Sequence, residues 1–139
     1  MDNETVRSDG ATGSSYDVVG WFRNISIATA LLILIQVILA GRGFFIDYDL
    51  IETHGVLGNV TLLGGIGLVI LGYVGYRRNL LDRIDLAAAV LLALLLVAQI
   101  GLGYSGRDSS TAASLHWPNG VLISLLTATL VGRSLPRRA

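Results

Sequence analysis

Four stretches of this chain stay apolar for the length needed to cross a lipid bilayer, and that limits the fold more than any other feature. A crossing helix needs about 20 residues. A water-soluble core of that size would be interrupted by polar residues at helical or strand spacing. Here 53% of the 139 residues are apolar and 14% are charged, and the apolar ones are gathered into blocks. The blocks predict spans at about 24–41, 50–76, 85–104 and 111–133, so the lipid bilayer is the first expected partner. The expected fold class is all-α: an integral membrane four-helix up-and-down bundle.

Ahead of these spans, residues 1–20 are polar and rich in Gly, Ser, Thr and Asp, and they read as a disordered cytoplasmic tail. Trp21, Phe22 and Arg23 suit an interfacial anchor. The first apolar run is not followed by a small-x-small cleavage pattern, since Ile38-Leu39-Ala40 fails it. The fourth span is short if counted from Pro118, because only 15 residues separate that proline from Gly132. Either Ser109 or Ser110 caps a helix that contains Pro118, or the helix starts at the proline and leaves His116 in a loop. The length requirement favours the first reading.

Arg7, Arg23, Arg77, Arg78, Arg83, Arg133, Arg137 and Arg138 fall in the tail, the middle turn and the C-terminal segment. The two remaining connections hold only Arg42 and Arg107. The positive-inside rule therefore places both termini in the cytoplasm, and the expected location is the plasma membrane of a prokaryote, as a multi-pass protein. With no cysteine, the chain makes no disulfide, no thiolate metal site and no covalent haem link. A net charge of zero gives no reason to expect nucleic acid.

The chain also reads as one unit written twice. Gln36 matches Gln99 and Gly43 matches Gly106 at an offset of 63, while His54 matches His116 and Gly58 matches Gly120 at 62. Each half is then a helical hairpin, and two hairpins in tandem make the bundle, with spans 2 and 4 on a diagonal. The only two histidines, His54 and His116, are expected to face each other there near the outer face.

A bundle diagonal of about 12–14 Å suits two imidazoles on either side of one haem iron better than a small bare ion. Gly58, Gly65 and Gly72 form a stripe under His54, answered by Gly120, Thr127 and Ser134 under His116. Such a stripe serves either a flat cofactor slot or close helix packing. Gln36 and Gln99 are expected to border the cofactor, or else to bond between helices. Arg42 and Arg107 are candidates for pairing with haem propionates.

These residues resemble one four-helix half of the heme A synthase family, from Trp21 to Arg133, with His54 and His116 in the place of one haem-facing pair. Leu115-His116-Trp117-Pro118-Asn119 also loosely resembles the start of the last helix in a family of small four-helix membrane proteins. The first resemblance implies non-covalent haem b with His54 and His116 as axial ligands. The synthases' Glu-x-x-His-Arg motif is replaced here by Glu52-Thr53-His54-Gly55.

A synthase holds two histidine pairs, so this chain would need a homodimer to act as one. The leading expectation is a small b-type haem protein with a redox or haem-handling role and a redox partner protein. The alternatives are a homodimeric heme A synthase and a haem-free accessory subunit of a membrane complex.

Overall fold

The structure is a computed structural model that describes residues 9–136, with side chains from residue 18 onward. Four helices follow in order: α1 (Asp9–Phe45), α2 (Leu50–Arg77), α3 (Arg83–Ser105) and α4 (Ser110–Ser134). Each packs against its sequence neighbours, and α1 closes the ring on α4. The diagonal pairs α1/α3 and α2/α4 make no close backbone approach among the described residues. The chain is thus an all-α up-and-down bundle.

Three helices, α1 from Val18 onward, α2 and α3, are long and apolar enough to cross a membrane. The fourth expected span is the exception. At 25 residues α4 extends about 38 Å, ample for a bilayer. Its composition is the difference, because His116, Pro118, Asn119 and several Ser and Thr dilute the apolar run.

The start of α1 also departs from expectation. The helix begins at Asp9, so residues 9–20 are helical, while residues 1–8, with Arg7, and residues 137–139, with Arg137 and Arg138, lie outside the described residues. From Val18 onward the helix carries a continuous inward stripe: Val18, Phe22, Ser26, Thr29, Ile33 and Gln36 are all buried at helical spacing. The helix also runs on to Phe45 before the turn to α2.

Burial follows the repeat. Phe22, Ser26, Thr29 and Ile33 of α1 are buried, and so are Asp85, Ala89, Leu92 and Leu96, each 63 residues later in α3. Thr61, Gly65 and Leu68 of α2 are answered, 62 residues on, by buried Ile123, Thr127 and Leu130 of α4. Buried hydroxyls are mostly satisfied within their own helix. Ser26 donates to the Phe22 carbonyl (2.8 Å), Thr61 to Leu57 (2.9 Å) and Thr127 to Ile123 (2.7 Å).

The glycine stripe of α2 is a packing surface. A side chain at Gly65 would meet Leu96 and Ala93, and one at Gly72 would meet Leu86 and Phe22. Small residues here let α2 approach α3 and α1 closely.

The helix ends follow local chemistry. Asn79 takes a positive φ of 56° in the α2–α3 turn, a conformation asparagine tolerates. Asp82 then caps α3 in a reciprocal box with Asp85: its Oδ1 accepts from the Ile84 and Asp85 amides, and its own amide donates to Asp85 Oδ2. Arg133, from the end of α4, donates to Asp82 (2.7 Å) and Asp85 (2.6 Å). Asp85 is therefore a buried carboxylate with a partner on each side.

At the opposite end, Ser109 caps α4 by accepting from the Ala112 amide (3.3 Å). Pro118 lies inside that helix, as the longer of the two readings requires.

The Asp85 backbone amide, helped by the Ile84 amide and the Arg133 guanidinium, holds the Asp82 carboxyl below its ordinary value of 3.8. A depressed carboxylate contributes stability that is present above the unfolded value and lost as pH falls through the folded one. Thermal melts should therefore show a loss of stability below about pH 3.8 that is smaller in Asp82→Ala than in the wild type. Equal losses in both proteins would contradict this assignment.

Candidate functional site

At the other end of the bundle the diagonal brings the two histidines together. His54 lies in the second turn of α2 and His116 in the second turn of α4. Their ring centroids are 6.1 Å apart, with the planes at 70°. Both rings are half-buried.

Each imidazole is oriented by the neighbouring helix of its own hairpin. His54 Nδ1 lies 3.1 Å from the Gln36 carbonyl oxygen, and His116 Nδ1 lies 3.1 Å from the Gln99 carbonyl oxygen. A carbonyl oxygen only accepts, so Nδ1 carries the proton in both rings and Nε2 is left with a lone pair. The repeat, visible in sequence as matching letters, thus places matching hydrogen bonds. A backbone acceptor on one nitrogen that frees the other is the arrangement that fixes a metal-binding imidazole.

The side chains of Gln36 and Gln99 lie one turn deeper, against the glycines. A Cβ added at Gly58 would be 3.3 Å from Gln36 Nε2, and one at Gly120 would be 3.2 Å from Gln99 Nε2. These two glycines therefore make room for carboxamides. Gly103, on α3, is cleared for the ring itself, since a Cβ there would lie 3.1 Å from His116 Cε1.

In the second half the polar network is complete. Asn119 Nδ2 donates to the Leu95 carbonyl (3.0 Å) and to Gln99 Oε1 (2.7 Å). Because the carbonyl of Leu95 must accept, the Asn119 atom is its nitrogen, and the Gln99 atom facing it is oxygen. The amide nitrogen of Gln99 then faces His116 Nε2 at 3.1 Å and donates to it.

In the first half the network stops short. Leu57 stands where Asn119 stands in the repeat, and Gln36 Oε1 is buried without a hydrogen-bond partner. Nothing in the composition gave Asn119 a role, although a carboxamide three residues after His116 in an apolar helix was the available signal.

Arg42 and Arg107 reach the same end of the bundle but are exposed, and Arg107 lies over the Tyr104 ring at 5.3 Å. Neither makes a hydrogen bond to the histidines or glutamines. Among the described residues no group of three or more His, Cys, Asp or Glu could hold a metal ion. The site offers two imidazoles at about equal depth on opposite helices, and only His54 has an Nε2 without a hydrogen-bond partner among the described residues. Comparison with known protein families, curated proteins and solved structures found no match to this chain, so the chemistry of the pair is read from its own geometry.

Proposed function

We propose that the chain is an integral membrane protein, with α4 as its fourth crossing, that binds one non-covalent b-type haem between His54 and His116. The observation that carries this reading is the pair of Nδ1–carbonyl bonds at equivalent positions, with the rings 6.1 Å apart. His54 and His116 would hold such a group through Nε2, with each Nδ1 kept on its backbone carbonyl. The Nδ1–H tautomers suit that use, while in this structure His116 Nε2 is taken by the Gln99 amide and the spaces at Gly58 and Gly120 are filled by the two glutamine side chains.

The donor count fits as well. A zinc ion wants four protein ligands, whereas a haem would ask this chain for no ligands beyond His54 and His116. The bound group supplies a reversible one-electron couple. The protein's part is to present two neutral imidazoles in a fixed orientation, with the Gln36 and Gln99 amides beneath them. One histidine pair per chain supports a redox or haem-handling role rather than synthesis of haem A, which takes two pairs. With the arginine-bearing end in the cytoplasm, the pair lies at the outer side of a prokaryotic plasma membrane.

The protein expressed with ample haem and purified in mild detergent should show a Soret band and a sharpened α-band on reduction, at one haem per chain. His54→Ala combined with His116→Ala should remove both bands. A colourless wild type, or a double variant with an unchanged spectrum, would overturn the reading.

A further inference from the structure

A cavity of about 800 Å³ opens at the end of the bundle away from the histidines, where α1, the α2–α3 turn and the end of α4 meet. Its lining is of two kinds. Val19, Leu80, Leu81, Leu135 and Pro136 make an apolar wall, and Arg23, Arg83 and Arg133 bring three guanidinium groups.

Asp82 and Asp85 also line it, but all four of their carboxylate oxygens already accept hydrogen bonds. Asp82 Oδ1 accepts from the Ile84 and Asp85 amides, Asp82 Oδ2 and Asp85 Oδ1 accept from Arg133, and Asp85 Oδ2 accepts from the Asp82 amide. Arg133 is thereby taken up by the two aspartates. Arg23 and Arg83, in contrast, make no ion pair or hydrogen bond among the described residues. Arg23 is only partly exposed, and a cation held partly out of water without a counter-ion favours the approach of an anion.

The depth of the cavity narrows the choice of anion. Trp21, two residues before Arg23, is 58% exposed, and Tyr76, on the cavity wall, is 45% exposed. Both stand near the ends of helices able to cross a membrane, where exposed Trp and Tyr mark the headgroup layer. A small soluble anion would use the guanidinium groups and leave the apolar wall uncovered. An anion with an apolar body uses both.

We propose that this cavity binds the phosphate group of an anionic phospholipid, a diester such as phosphatidylglycerol, between Arg23 and Arg83, with the apolar part of the lipid against Val19, Leu81 and Leu135. Guanidinium groups suit phosphate oxygens because they offer several donors in a planar fork. The Tyr76 hydroxyl is a further donor on the same wall. A zwitterionic lipid would bring its own cation up to the arginines, which disfavours it. The site is separate from the histidine pair and independent of the haem reading, sharing with it only the bilayer.

The experiment titrates the full chain, stripped of lipid in mild detergent, with phosphatidylglycerol, with phosphatidylcholine of the same chains and with inorganic phosphate. Native mass spectrometry counts what stays bound. Wild type should hold one phosphatidylglycerol per chain, about tenfold or more tighter than phosphatidylcholine, and millimolar inorganic phosphate should not displace it. Arg23→Gln and Arg83→Gln should each weaken the lipid about fivefold and together about thirtyfold, the worth of about 1 kcal/mol per cation near an anionic surface. Arg77→Gln removes an equal charge from the same end but outside the cavity wall, and it should cost less than about twofold. Arg23→Lys keeps the charge and loses the fork, so it should fall between wild type and Arg23→Gln, and it stands in if the glutamine variant does not fold.

Equal binding of the two lipids, or a loss in Arg77→Gln that matches Arg23→Gln, would overturn the site and leave only the general pull of a positive end on an anionic surface. Displacement by millimolar inorganic phosphate would overturn the lipid as the occupant. None of these outcomes bears on the histidine pair, and a colourless protein would leave this site standing.

Discussion

Leu92→Ala should lower the stability of the bundle by about 2–4 kcal/mol, measured as the shift in unfolding free energy in mixed micelles. Leu92 is fully buried in the cluster that includes Leu68, Leu96, Ile123 and Leu130. In lipid the helices remain helices when they separate, and lipid tails are as apolar as leucine. The loss therefore comes from dispersion contacts that the cavity leaves unmade. Leu94, two residues on, is 62% exposed on the outer surface, and Leu94→Ala should change stability by less than about 0.5 kcal/mol. Similar costs at the two positions would mean that the packing described for α3 is wrong.

Gly106→Ala should be the most damaging of the glycine-to-alanine changes, at about 1–3 kcal/mol. An added Cβ would stand 2.9 Å from the Leu102 carbonyl oxygen and 3.2 Å and 3.3 Å from backbone atoms of Ala113. Backbone cannot swing aside as a side chain does, so α3 and α4 would have to separate at their turn. Gly101, in the body of α3, has nothing within 4 Å of such a Cβ. Gly101→Ala should be neutral or stabilising by up to about 1 kcal/mol through helix propensity. The two melting curves should therefore move in opposite directions, and a shared direction would contradict the close approach at Gly106.

The bundle was legible in the sequence because bilayer length and internal repetition are both one-dimensional signals. The offsets that align Gln36 with Gln99 and His54 with His116 also align the buried positions, from Ser26 and Ala89 to Leu68 and Leu130. The histidine pair was legible for the same reason.

What escaped detection depends on partners far apart in the chain. Asp85 reads locally as one more charge in a polar turn, and only the fold brings Arg133 to it from 48 residues away. Gly58 reads as space for a flat cofactor until the Gln36 side chain is seen filling it. Gly and Ser between residues 9 and 20 suggest a loop, whereas α1 begins at Asp9 and packs inward from Val18 on. For α4, length and composition gave different answers, and both are visible in the structure.

The capping box of α3 and the guanidinium of Arg133 have a consequence for how the two ends of the molecule respond to their surroundings. Where α2 turns into α3, the bundle is fastened by full charges, which ionic strength screens and acid neutralises. At the histidine end it is fastened by neutral amide, carbonyl and imidazole groups, which salt hardly touches. The molecule is a rod clamped by different chemistry at each tip, and salt loosens one clamp without disturbing the other.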